Sequence, residues 1–364
     1  EFDDGSEIIA DGVHRWAVTD AWAASPYALK VKTTEELADS YQIKTKRGFR
    51  SRYAIPVTLP LDLPEVDLPV DPYSLGLWLG DGNSQRGDLT LGFKDSVPIR
   101  VSLTTRDIEY TLGRGKGNSQ GTADRVCLLG VAPRLREMGV LNNKHIPMRY
   151  LRASEGQRRE LLRGLMDTDG YIEKKGCAAI ACSNKKLADG IMELLRSLGY
   201  KPQRTESTPT YTHKGEKLQG AVSYEMAFYP DTPEECTTLL RHIAKYNSFS
   251  NAKTRRPTHT GRRFIRAIEK VESVPVRCIS VSNESRLFLV GEQMVPTHNT
   301  DSIVINGLAY SVKVDPMDTM LYCPTNTAAR DFPIPRGDRL HRHSPEIGAM
   351  LLNSRDAANG IDKH

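Results

Sequence analysis

Cysteine is scarce in this chain and forms no framework. The six cysteines, Cys127, Cys177, Cys182, Cys236, Cys278 and Cys323, include no CxxC pair and have no histidines at zinc-site spacing. That excludes a zinc ribbon and a disulfide scaffold, so the thiols are expected to be reduced and the protein cytoplasmic. No apolar run approaches the roughly 18 residues of a membrane span, so no membrane partner is expected. The opening residues are not expected to form a signal peptide. Glu1-Phe2-Asp3-Asp4-Gly5 lacks an initiator methionine and reads as mid-domain sequence, which leads to the expectation of a piece of a longer protein. Charge is not lopsided either: the net charge is +5 over 364 residues, ordinary for a globular chain of two or three domains.

What is present is patterned. Basic residues cluster at Lys44-Thr45-Lys46-Arg47-Gly48-Phe49-Arg50-Ser51-Arg52, at Arg158-Arg159, and from Arg255-Arg256 through Arg262-Arg263 to Arg266. Each suits a polyanion and, taken singly, equally suits a solvated face. Residues 1–55 read as β. Glu7 to Ala10 and Arg15 to Val18 are expected strands around an Asp11-Gly12 turn, and Thr33 to Ala38 is an expected capped helical turn. Pro56, Pro60, Pro64, Pro69 and Pro72 then punctuate an extended, acidic linker. Helices are expected from Ser74 to Asp81, Ala132 to Met138, Glu155 to Asp169 and Lys186 to Leu198, with strands and loops from Asp81 to about residue 128. Strands are expected again at Ile268 to Val271, Val276 to Val281 and Leu287 to Gly291.

Two of these helices carry glycines inside apolar turns: Gly76 and Gly80 in the first, Gly164 in the second. A helix-interior glycine costs about 1 kcal/mol against alanine. Close approach of two helix backbones gives it a reason. Each helix runs into an Asp-Gly pair, Asp81-Gly82 and Asp169-Gly170. One such pair is an ordinary helix stop; two, each after a glycine-bearing apolar helix, would set two carboxylates together. The stretch Leu162-Arg163-Gly164-Leu165-Met166-Asp167-Thr168-Asp169-Gly170, and more loosely Ser74 to Gly82, resembles the LAGLIDADG homing endonucleases. The resemblance implies that Asp81 and Asp169 are metal-binding catalytic acids using Mg²⁺. It makes Lys144, in Lys144-His145-Ile146-Pro147, a lysine that polarises water or the transition state. It further implies two αββαββα-like halves in one monomeric enzyme, with double-stranded DNA as substrate.

The β segments on either side of that module resemble the two parts of an intein. His14, in Asp11-Gly12-Val13-His14, matches the histidine that polarises the upstream scissile bond, although Asp11 replaces the family's threonine. Val276 to Asn299 matches the C-terminal blocks, with Cys278 where most members have Asp and no His near Arg286. Together Trp16, Cys278 and Thr297 are similar to the signature of class 3 inteins. Alone they read as a core tryptophan, a small buried thiol and a turn hydroxyl. The resemblance implies attack by Cys278, acyl transfer to Thr300, and cyclisation of Asn299 assisted by His298, with no cofactor for splicing.

After Asn299 the pattern changes to that of an α/β unit: a helix from Ser302 to Tyr310, a strand from Thr319 to Tyr322, a helix from Thr325 to Phe332. Thr300 fits the last position of a P-loop, whose hydroxyl binds the Mg²⁺ of ATP. Cys323 to Phe332 and Arg339 to Pro345 look like the ATPase of phage terminase large subunits, with another P-loop ATPase such as a helicase as the alternative host.

The fold class expected is therefore mixed. An all-β, horseshoe-shaped (Hint-type) splicing domain, over 1–70 and 266–299, is interrupted by an α+β endonuclease over 71–265. An α/β P-loop ATPase fragment, part of the flanking extein, follows over 300–364, in a phage-infected or prophage-bearing bacterium. The rival readings are a free-standing LAGLIDADG nuclease or maturase, and a DNA-binding module with a degenerate nuclease site.

Overall fold

A computed structural model describes residues 1–298 apart from 47, 114–120, 174–175, 214–215, 251–259, 275–280, 282 and 284. Cys278, Asn299, Thr300 and the expected ATPase fragment lie outside the described residues.

The chain begins with β1 (Arg15–Asp20), β2 (Lys30–Thr33), the short helix α1 (Thr34–Ala38), the hairpin of β3 (Gln42–Thr45) and β4 (Gly48–Ser51), and β5 (Tyr53–Pro56). Thr33 and Glu36 form the reciprocal capping box that starts α1. β1 pairs antiparallel with both β2 and β5. Glu7 to Ala10 is not a strand. The Asp11 carboxylate accepts the Val13 N–H at 2.9 Å, and the Gly12 carbonyl accepts the Glu35 N–H at 2.9 Å. The Asp11-Gly12 turn therefore docks on α1 instead of closing a hairpin.

An α+β unit follows. Its first half comprises α2 (Pro72–Asp81), β6 (Asp88–Gly92), α3 (Phe93–Thr104), β7 (Tyr110–Leu112), β8 (Ala123–Leu128) and α4 (Val131–Glu137). After α5 (Met148–Leu151) the second half comprises α6 (Glu155–Thr168), β9 (Gly170–Ile172), β10 (Ala178–Cys182), α7 (Lys185–Ser197), β11 (Gln203–Ser207), the hairpin β12 (Thr210–His213)–β13 (Glu216–Gln219), β14 (Ser223–Phe228) and α8 (Leu240–Ser250). The second sheet has the order β11-β14-β10-β9 and the first β7-β8-β6. A single bridge, Gly82 to Leu89, stands where β9 would be. The halves are thus two copies of one topology, the first with the edge strand that follows its helix reduced to one residue. α3 corrects the expectation of strands and loops before residue 128. Pro98 lies inside it and β-branched residues fill it, but Ser96, Ile99 and Leu103 are buried against the sheet. Tertiary packing has overridden propensity.

The chain then returns to the β domain in β15 (Arg262–Phe264), and the described residues close with the hairpin β16 (Leu287–Val290)–β17 (Val295–His298). β15 pairs with β5, giving the sheet order β15-β5-β1-β2. This core gathers Phe2, Trp16, Val18, Leu37, Tyr53, Ile55, Ile265 and Val295. Among the described residues, Ile268 to Val271 carries no ladder.

The proline-punctuated stretch after β5 is extended, as its composition predicts, but is strapped to the α+β unit. Leu61 N–H donates to the Ser197 carbonyl at 2.9 Å, and Tyr150 Oη both accepts from Val70 N–H and donates to its carbonyl. Arg158 is fully buried and donates to the carbonyls of Ala153, Ser197 and Leu61. Arg262 and Arg263 are buried as well. These three are structural and leave the set of residues that could meet a polyanion, whereas Lys44, Lys46, Arg50 and Arg52 on the β3–β4 hairpin are exposed.

Candidate functional site

α2 and α6 cross at the centre of the α+β unit. Tyr73 to Leu79 is buried without a break, so α2 has no solvent face. Its N-terminus is fixed by Asp71, whose carboxylate accepts the Ser74 N–H at 2.8 Å, and by Pro72 in the first turn. The glycines stand where the helices touch. A Cβ on Gly76 would lie 2.9 Å from the Gly164 Cα, and one on Gly164 would lie 2.9 Å from the Gly76 Cα. A Cβ on Gly80 would come 3.3 Å from an Asp169 carboxylate oxygen. The crossing therefore brings the C-terminal ends of both helices, with Asp81 and Asp169, to one place.

The electrostatics agree. Burial, and then the charge of Asp169, push the Asp81 carboxyl up to about 6, with Lys144 opposing. Burial also raises Asp169 against the pull of Lys144. Lys144 is held below its ordinary value by burial, with both carboxylates opposing. Its Nζ donates to the Leu79 carbonyl at 3.0 Å and the Gly80 carbonyl at 2.9 Å and lies over the Trp78 ring. It thus satisfies the last carbonyls of α2 and offsets the paired carboxylates. The three residues singled out in the sequence are brought together.

The donor set fits a hard divalent cation. No group of three or more His, Cys, Asp or Glu able to hold a metal occurs among the described residues. Mg²⁺, however, is commonly held by one or two carboxylates, with water and substrate phosphate completing its shell. Asp81 and Asp169 would supply those carboxylates.

Asp167, two residues from Asp169, has a different role that motif matching does not reveal. It accepts from Tyr73 Oη at 2.9 Å, Thr237 Oγ1 at 2.6 Å, Thr238 N–H at 2.9 Å and Thr238 Oγ1 at 2.5 Å. It ties α2, α6 and the segment before α8 together. The signal was helical geometry: residues two apart do not share a face.

A second cluster sits where β1 meets β17. His14 immediately precedes β1 and Thr297 lies in β17, which packs beside β1. His14 Nε2 and Thr297 Oγ1 are 2.5 Å apart. The His14 and Trp16 rings meet edge to face, with centroids 4.9 Å apart. Trp16 Nε1 donates to Thr34 Oγ1 at 3.0 Å. His298 pairs with Leu287 across the hairpin. Burial, and then the proximity of His298, hold His14 below the usual histidine range, with Asp11 opposing. A neutral imidazole touching a buried hydroxyl can exchange a proton with it or polarise a neighbouring carbonyl. Of the residues predicted for splicing, the structure gathers His14, Trp16, Thr297 and His298.

The chain is 35% identical over 315 residues to the replicative DNA helicase DnaB of Mycobacterium intracellulare, an overlap of 82% of this chain and 50% of that relative. It is 53% identical over 36 residues to the replicative DNA helicase DnaB of Mycobacterium leprae (strain TN), 10% of this chain and 6% of that relative. It thus spans half the length of the first and a small part of the second. Residues 156–227, from α6 through β14 and including Asp169, match the LAGLIDADG-like domain.

Proposed function

We propose that the chain is an intein: a self-splicing β domain with a homing endonuclease inserted in it. The observation that carries this reading is the junction of β1 and β17. His14, from the chain's start and stacked edge to face on Trp16, meets Thr297 beside His298 across the whole insert, immediately before Asn299-Thr300. A free-standing nuclease would have no use for that junction.

In splicing, the Cys278 thiolate attacks the carbonyl of the upstream scissile peptide, whose amine departs, leaving a branched thioester. The Thr300 hydroxyl takes the acyl group as an ester and returns the thiol. The Asn299 side-chain nitrogen then attacks its own carbonyl, forming a succinimide and freeing the Thr300 amine, which takes the acyl group from its own oxygen as a peptide. His298 protonates the departing amine, and His14 polarises the upstream carbonyl.

In the endonuclease, double-stranded DNA would be the substrate, and Asp81 and Asp169 would hold Mg²⁺. The ion, when bound, supplies Lewis-acid stabilisation of the phosphodiester. Lys144 favours the ionised form of both carboxylates against their burial and would place a positive charge beside the reacting water.

The host is proposed to be a P-loop ATPase whose ATP–Mg²⁺ site Thr300 completes. The relatives' name favours a replicative helicase over the terminase that the 323–345 stretch resembles.

Two measurements test the reading. Mass spectrometry should detect release of residues 300–364 from the chain, abolished in Asn299→Ala; release from that variant at the wild-type rate sinks the site. Asp169→Asn should stop Mg²⁺-dependent cutting of the uninterrupted host gene, and undiminished cutting rules out its metal role.

A further inference from the structure

Thr34 is not among the residues that splicing chemistry names, yet it holds two of them. It is the first residue of α1, directly after β2, and faces the start of β1 because Arg15 pairs with Thr33. Its N–H donates to the His14 carbonyl at 2.9 Å. Its hydroxyl donates to the same carbonyl at 3.4 Å and accepts the Trp16 indole N–H at 3.0 Å. Trp16 is buried, so its N–H must find a partner inside the protein. Thr34 provides it, and the same hydroxyl helps fix the backbone that carries the His14 ring.

We infer that Thr34 is a positioning residue for the splicing site: through one hydroxyl it locks the Trp16 ring and the His14 main chain, so that the imidazole is delivered to Thr297. The contacts run in series. Thr34 sets the indole; the indole's T-shaped contact at 4.9 Å sets the imidazole plane; the imidazole reaches Thr297 Oγ1 at 2.5 Å, next to His298. Without the hydroxyl, the indole N–H is buried without its acceptor and the ring turns towards water to regain one. His14 then loses the surface that orients it. This inference rests on the splicing reading.

Thr297 is the immediate neighbour of His298, which assists Asn299, so the seating of His14 on Thr297 is read through release of residues 300–364 from the whole chain. Thr34→Val keeps the shape and removes the hydroxyl; Thr34→Ser keeps the hydroxyl. A misplacement of about 1 Å commonly slows a reaction by up to roughly a hundredfold. Thr34→Val is therefore expected to slow release by about tenfold to a hundredfold, with Thr34→Ser near the wild-type rate. Val18→Ala, which loosens the same core while leaving these hydrogen bonds alone, separates positioning from stability and should keep the rate at a temperature below its unfolding. Release from Thr34→Val at the wild-type rate, failure of Thr34→Ser to rescue, or equal slowing by Val18→Ala would each overturn the inference. Failure of the wild-type chain to release the peptide would instead remove the splicing reading, and this inference with it.

Discussion

Asp81 shows how one side chain can favour function over stability. It is half-buried beside another carboxylate, and its acid form is favoured up to about pH 6. An exposed aspartate titrates near 3.9, so the folded protein holds an extra proton between those values. The associated stability is present below the unfolded value and is lost as the pH rises through about 6. Asp81→Asn should therefore raise the unfolding midpoint at pH 7, by about 1–2 kcal/mol after allowance for solvent screening of a half-buried group. Chemical denaturation measures this, and the same variant should lose DNA cutting. Mg²⁺ should stabilise the wild type and not Asp81→Asn, and chelation should erase that gain. Wild-type cutting should fall as the pH drops below about 6. The meeting of Asp81 and Asp169 was legible in the sequence because the Asp-Gly helix end is local and repeated, and Lys144 was singled out by one short motif. Asp167 was not, because its partners at Tyr73, Thr237 and Thr238 are distant in sequence.

At the scale of elements, the contact between α2 and α6 depends on what is missing from the glycines. Gly164→Ala would drive a methyl into the backbone of α2, a collision that side-chain repacking cannot relieve. Such overpacking costs roughly 1–3 kcal/mol or more. Gly156, in the same helix, has nothing within 4 Å of an added Cβ. Gly156→Ala should be neutral or gain up to about 1 kcal/mol from helix propensity. Urea midpoints of the two variants decide the matter: equal effects would mean that the helices do not need the close approach. Periodicity made α6 and α7 legible. It hid α3, whose proline and β-branched residues argue against a helix, and it placed a strand at Glu7 to Ala10, where side-chain and backbone bonds from Asp11 and Gly12 turn the chain onto α1 instead.

At the scale of the whole molecule, one buried ion pair joins the α+β unit to the β domain and a second braces the β domain internally. Lys201 binds both oxygens of Asp3 at 2.8 Å and the Arg262 carbonyl at 2.9 Å. Arg263 binds Asp4 at 2.7 Å and the Gln293 carbonyl, in the turn of the β16–β17 hairpin, at 2.5 Å. Removing one partner of a buried pair costs about 3–5 kcal/mol, because the other is left uncompensated. Lys201→Met should cost about that much and split thermal unfolding, followed by calorimetry, into two transitions. A single transition at the wild-type midpoint would show that the units are not braced this way. None of these pairs was legible in the sequence, since their members are more than 190 residues apart or read as surface charge.

The insert leaves the β domain after β5 and re-enters it in β15, and those two strands are neighbours in one sheet. In kinetic terms this makes the seam a timer. Closing a flexible loop as long as the insert costs on the order of 5 kcal/mol, so an unfolded insert keeps β15 away from β5. Once the insert has folded, its two ends stand side by side and that penalty is gone. The sheet that carries Trp16 is thus completed after the α+β unit has formed, and on the proposed splicing reading excision would begin only from a chain whose insert is already folded.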